Sequence, residues 1–208
     1  MGESIDLFFS NSKFFVDFFT SYYTDVEPQS AFVVECDRKV VGYLLGCTDI
    51  KKYMLYQFVI FCNLILKILR GIFRQKYNIN CINFFWWFIW RSWREIPKTP
   101  LGGAHFHFNI MKGYRNISTT KQLVETYISY LKENHPHIKI VWGQMEVFDN
   151  RRMPAVFERF GWKLYDKVPF NKYKYMIECG RHHELDKLGS LNKKLNSKVF
   201  LATIYKQL

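Results

Sequence analysis

Apolar residues recur at helical spacing in some stretches and alternate in others, and the switches between the two periods lay out the chain. Phe14, Phe15, Phe18, Phe19 and Tyr22 form one stripe over residues 11–23, which predicts an amphipathic helix whose aromatic face packs into a core. Glu27-Pro28 breaks that helix, and Ala31–Glu35 and Lys39–Gly46 read as strands joined by a tight Cys36-Asp37-Arg38 connection, a hairpin. Much later, His105-Phe106-His107-Phe108-Asn109-Ile110 alternates as a half-buried strand should, and Lys112–Asn116 turns the chain. Thr119 or Thr120 is the expected cap of the next helix, whose buried face is Leu123, Val124, Tyr127, Ile128 and Leu131 and whose end is Asn134-His135-Pro136. A strand at Ile138–Val147 follows, then a short helix from about Asn150 to Phe160 closed by Gly161, with Pro154 tolerable in its first turn. Strands at Trp162–Asp166 and Lys172–Glu178 come last, before a basic and weakly patterned tail, 180–208.

Residues 51–97 interrupt this order as an insertion. A long apolar helix over Met54–Phe73 precedes the aromatic run Phe84–Arg94. Lys51, Lys52, Lys67, Arg70 and Arg74 flank or interrupt the helix, so neither segment offers the roughly 20 uncharged residues a bilayer span requires. Two readings remain: a helical lid over a substrate groove, which is the expected one, or peripheral membrane contact through 51–95 with Arg and Lys at the headgroups.

With 208 residues and 49% hydrophobic content, the chain can bury a real core, and one domain spanning 1–208 is expected. The excess of 30 Lys and Arg over 18 Asp and Glu gives +12, which suits a nucleotide phosphate or an anionic membrane surface as well as mere solubility. Nucleic acid is the least expected partner, because the run around Trp86–Arg94 is too apolar for a wet, phosphate-lined groove. Five cysteines without a CxxC pair, and no leading signal segment, point to a reducing cytoplasm, with the membrane periphery as the variant of that location. Cys179, His182 and His183 lack the second half of a zinc site, so no metal is expected, and Asn116-Ile117-Ser118 is a chance match to a glycosylation sequon.

The strand, tight turn and helix between His105 and Leu131 would present helix N-terminal amides to an anion. The stretch Ala104–Thr120 resembles the cofactor motif of the GNAT superfamily of acyl-CoA N-acyltransferases, a strand followed by an Arg/Gln-x-x-Gly-x-Gly/Ala loop and a helix. About 30 residues on, Asn150-Arg151-Arg152-Met153-Pro154-Ala155-Val156-Phe157-Glu158-Arg159-Phe160-Gly161-Trp162 is similar to that family's Asn-x-x-Ala-x-x-Phe-Tyr-x-x-x-Gly-Phe motif. The likeness extends over 12–50 and 103–178. It implies a mixed α/β fold with a central, mostly antiparallel sheet, and transfer of an acetyl or other short acyl group from acetyl-CoA, or another acyl-CoA, to a small-molecule or protein amine. By position, Asn109, Ile110 and Met111 would meet the pantetheine arm. Arg115, Asn116, Ile117, Ser118, Thr119 and Thr120 would surround the pyrophosphate, and Asn150 would contact the arm near its thiol.

Two positions depart from the pattern. Ser118 and Thr120 replace the loop glycines, so either their Cβ atoms crowd the cofactor or their hydroxyls donate to phosphate oxygens and keep affinity by another route. Phe157, still a cofactor contact by position, replaces the tyrosine that in many members would protonate the leaving thiolate, with Tyr165, Tyr173 and Tyr175 as substitute candidates. His105 and His107, on one face of the strand, and Glu146, on the next strand, are the candidate catalytic bases, since imidazole titrates in the useful range. The alternative is an acyl-CoA binder that has lost catalysis.

Overall fold

The computed structural model describes residues 19–73, 86–87, 89–148, 157–171 and 198–208. Among the described residues, six strands form one sheet: β1 (Ala31–Cys36), β2 (Lys39–Cys47), β3 (Ala104–Ile110), β4 (Ile140–Phe148), β5 (Lys163–Pro169) and β6 (Val199–Gln207), in the order β1-β2-β3-β4-β6-β5. Every neighbouring pair is antiparallel except β3 and β4. The fold class is therefore the mixed α/β, mostly antiparallel sheet that the resemblance implied.

The β1–β2 hairpin turns through Asp37 and Arg38, both left-handed at φ 50° and 61°, as a two-residue turn matched to the strand twist demands. Helix α1 (Ile50–Phe73) is the helical part of the insertion. Asp49 starts it by accepting from the amides of Lys51 and Lys52, both at 3.0 Å. Helix α2 (Ile117–Asn134) starts on Asn116, whose Oδ1 accepts from the Thr119 amide at 2.7 Å. Asn116, rather than Thr119 or Thr120, is thus the cap, because it alone stands in extended backbone one residue ahead of the helix.

Leu123, Val124, Tyr127, Ile128 and Leu131 of α2 pack on Leu44, Ala104, Phe106, Ile110, Val141 and Ile204 of the sheet, which makes the main core. The contact is close at Gly46, where an added Cβ would lie 2.2 Å from the Tyr127 ring. That space lets the Tyr127 hydroxyl reach the carbonyls of Cys47 and His105. On the opposite face Tyr22, Tyr23, Leu45 and Cys47 gather with Tyr53 and Tyr56 from the first turns of α1.

A buried carboxylate joins these parts. Glu27 follows the π-helical turn Tyr22–Val26 and accepts from the Tyr22 hydroxyl, the Thr48 amide and hydroxyl, and the Asp49 amide. Its oxygens are therefore satisfied by hydrogen bonds. Burial lifts the Tyr22 hydroxyl far above the usual tyrosine range and pushes the Cys47 thiol to about 12, so both stay neutral.

Several expectations need correction. The tail is not patternless to its end: Val199–Gln207 is the strand that pairs with β4 on one side and β5 on the other. Among the described residues of the insertion, α1 does not bury its apolar stripe as a lid would, since Met54, Leu55, Phe58, Val59, Leu66 and Leu69 are all exposed. Phe19, placed in the buried stripe, is also exposed. Phe14, Phe15, Phe18, most of the Asn150–Phe160 helix and the Lys172–Glu178 strand lie outside the described residues, as do Cys179, His182 and His183.

Candidate functional site

The parallel junction of the sheet, the only one among the described residues, makes the site. β3 and β4 pair only through Ala104–Val141, His105–Trp142 and Phe106–Gly143, yet β3 continues to Ile110 and β4 to Phe148. The Met111 amide donates to the Val41 carbonyl at 2.8 Å, so by strand alternation the backbone groups of Asn109 and His107 also face β2. Those of Phe108 and Ile110 face the other way, into the opening. On β4 the Leu208 amide bonds the Lys139 carbonyl, which by the same alternation turns the backbone of Gln144, Glu146 and Phe148 toward the opening. Among the described residues, no strand pairs with either of these two edges.

The short 3-10 turn Lys112–Tyr114 carries the chain from β3 to α2, so the positive end of an 18-residue helix stands beside the opening. The Thr119 amide is taken by the cap and the Thr120 amide by the Asn116 carbonyl. Among the described residues, that leaves the amides of Ile117 and Ser118 without an acceptor. Arg115 folds back so that Nε donates to the Ile110 carbonyl and Nη2 to Asn109 Oδ1, fixing a cation at the strand end. The Thr120 hydroxyl donates to the Asn116 carbonyl at 2.9 Å and so is not a phosphate donor. Ser118 and Met111 are exposed at the mouth, whereas Ile110 turns its side chain into the core.

Side chains of one sheet face complete the arrangement. His105, His107 and Asn109 share the face turned away from α2, and the pairing of His105 with Trp142 puts Trp142, Gln144 and Glu146 on that face too. His107 and Glu146 therefore lie on one face, on the two sides of the opening.

His105 is a different kind of residue from His107. It is 5% exposed, its Nε2 is 2.8 Å from the Tyr23 hydroxyl, and its ring stacks on Trp142 at 4.8 Å. Burial drives its pKa down to about 3, with His107 pushing in the same direction. An imidazole that gives up its proton so readily is a poor acceptor for one leaving an ammonium, so His105 does not suit the base role assigned to it. His107 is solvent-exposed, and its ring is 6.2 Å from that of Tyr43. Tyr43, Tyr23, Tyr53 and Trp142, which the sequence reading did not single out, line this face. The i, i+2 repeat of Trp142, Gln144 and Glu146 was the signal available.

Phe157 packs partly buried against the main core, with Met145 and Trp162 close by. Tyr165 lies on β5 and stacks edge-on against Tyr205, whereas Asn150, Tyr173 and Tyr175 fall outside the described residues.

The chain superposes on the solved structure of SsHAT with a TM-score of 0.51 at 16% identity, covering 99% of this chain and 86% of that one. The chain has the GNAT fold. Two further likenesses are to Chaetomium thermophilum Naa20, solved with a bisubstrate analogue (TM-score 0.49, 13% identity, 93% of this chain and 73% of that), and to the Drosophila melanogaster polyamine N-acetyltransferase that forms N-acetylagmatine (TM-score 0.44, 11% identity, 89% and 78%). No family model matches the sequence, and no curated protein matches it. The opening between β3 and β4 is thus a feature of a sheet with this fold.

Proposed function

We propose that the protein is an acyl-CoA-dependent N-acyltransferase that moves an acetyl or other short acyl group directly to a primary amine. The observation that carries this reading is the parting of β3 and β4 beside the start of α2. It offers the backbone groups of Phe108 and the amide of Ile110, which no described strand pairs, two amides at Ile117 and Ser118 uncommitted among the described residues, and the cation of Arg115, which Nε anchors to the Ile110 carbonyl. These residues fit an acyl-CoA. The backbone edge suits an arm that carries amides, and converging N–H donors at a helix start suit a diphosphate.

When bound, the cofactor supplies an acyl carbon activated as a thioester, which the amine nitrogen attacks as the thiolate leaves. The protein's own contributions are orientation and proton transfer. His107, exposed on the face shared with Glu146, is the base that takes the ammonium proton, and Glu146 is the carboxylate alternative across the opening. His105, neutral and stacked on Trp142, holds β3 and β4 in place where they still pair. The acceptor is an amine, either small or at a protein terminus.

Release of free thiol from acetyl-CoA in the presence of a panel of amines and peptide N-termini tests this. Turnover with at least one acceptor is expected. A second reading, an acyl-CoA binder without catalysis, is favoured by Phe157, which puts a ring without a hydroxyl against the core. Cofactor binding with no turnover on any acceptor would select it.

A further inference from the structure

The geometry points to α1 as a helix that lies in the surface of an anionic lipid bilayer. Met54, Leu55, Phe58, Val59, Leu66 and Leu69 are 45% to 67% exposed although all are large and apolar. At 100° per residue they occupy one arc of about 140°, opposite Tyr53 and Tyr56, which are the side chains that pack on the core. The stripe runs about 22 Å along the helix. Cys62 and Ile65, within the same arc, are half-buried, yet monomers in water rarely leave six large apolar side chains on one helix face uncovered.

Charge decides what covers it. From Ile50 to Arg94 the sequence holds eight Lys and Arg and not one Asp or Glu. On the helical wheel Lys52 and Arg70 fall together at one border of the stripe, where headgroup phosphates would meet them while the apolar arc sinks below. A second copy of this chain would present the same cations to each other with no carboxylate in the segment to offset them. A nucleic acid would leave the apolar arc in water. The return segment matches the lipid reading: Trp86, Trp90 and Trp93 are exposed, whereas Trp87 turns inward and donates to Glu95. Exposed tryptophans belong at the water–lipid boundary. No described helix is long and apolar enough to cross a membrane, so the contact is in the plane. This inference stands apart from the transfer reaction.

Flotation of the full chain with vesicles of phosphatidylcholine alone, or of phosphatidylcholine with phosphatidylserine, tests it. The protein is expected to float with the anionic vesicles and to be released by high salt, and its tryptophan emission should shift to the blue on binding. The double variant Phe58→Glu with Leu66→Glu, both at exposed positions, should lose flotation with an unchanged circular dichroism spectrum. Arg70→Gln should lower partitioning about fivefold. The proposal is overturned by equal flotation with both vesicle types, or by a double variant that floats like the wild type. It is equally overturned by a concentration-dependent dimer in sedimentation that the double variant abolishes.

Discussion

His105 and His107 stand two residues apart on β3 and point the same way, but one sits in a sealed aromatic box and the other in solvent. The difference sets two expectations. Replacing His107 with Ala should lower kcat by about 10²–10⁴-fold, the usual worth of a general base, with little change in the KM for acetyl-CoA. Loss of kcat without change in KM would be read from initial rates. An unchanged kcat would move the role to Glu146.

The buried His105 should instead be seen in stability. Its pKa falls from the ordinary 6.5 to about 3 in the folded chain, so on acidification the unfolded chain takes up a proton that the native one refuses. Its stabilising contribution is therefore complete above about pH 6.5 and is lost progressively toward pH 3. At pH 5 the loss is about 2 kcal/mol. Urea midpoints at pH 7 and pH 5 should fall further for the wild type than for His105→Gln, and an identical fall in both proteins would contradict the assignment. Neither role was separable in the sequence, since alternation gives the shared face but not the partners. Tyr23, Tyr53 and Trp142 come from three other segments of the chain.

At the scale of elements, the start of α2 is where chemistry and local structure meet. Asn116 caps the helix with φ −143° and ψ 166°, an extended conformation that also suits a residue before proline. Ile117→Pro should therefore leave α2 intact, because the first helical position tolerates proline, while removing one of the two uncommitted amides. The affinity for CoA should drop about 10- to 100-fold, as loss of a hydrogen bond to a charged group predicts, with thermal stability unchanged. Equal affinity would mean that this amide holds no phosphate. Helix α2 itself was legible because its buried residues repeat at helical spacing, and β3 because it alternates. The cap was misplaced by a few residues because Asn116, Thr119 and Thr120 are all good caps, and only the backbone conformation distinguishes them. The sequence alone leaves the Thr120 hydroxyl open to phosphate, whereas in the fold it has a nearer acceptor one helical turn back at the Asn116 carbonyl.

For the whole molecule, the sheet depends on pairings between distant segments. β6 enters between β4 and β5 and so completes both. The run Phe200-Leu201-Ala202-Thr203-Ile204-Tyr205 carries a strand's residues, but it follows a long basic stretch, and its partners lie 31 to 63 positions earlier in the chain. Local pattern cannot reveal a partner so remote. The exposure of α1 was equally invisible, because an amphipathic period fixes the relation between two faces and not which of them turns inward.

The fold brings the strand end, the helix start and a positively charged chain to one opening, and binding of a cofactor diphosphate there is the claim on which the function rests. Titration calorimetry with CoA and acetyl-CoA at modest salt tests it most directly. Saturable heat with one site per chain, weakening as salt is raised, is the predicted result. No heat from either compound, even at low salt, would contradict it.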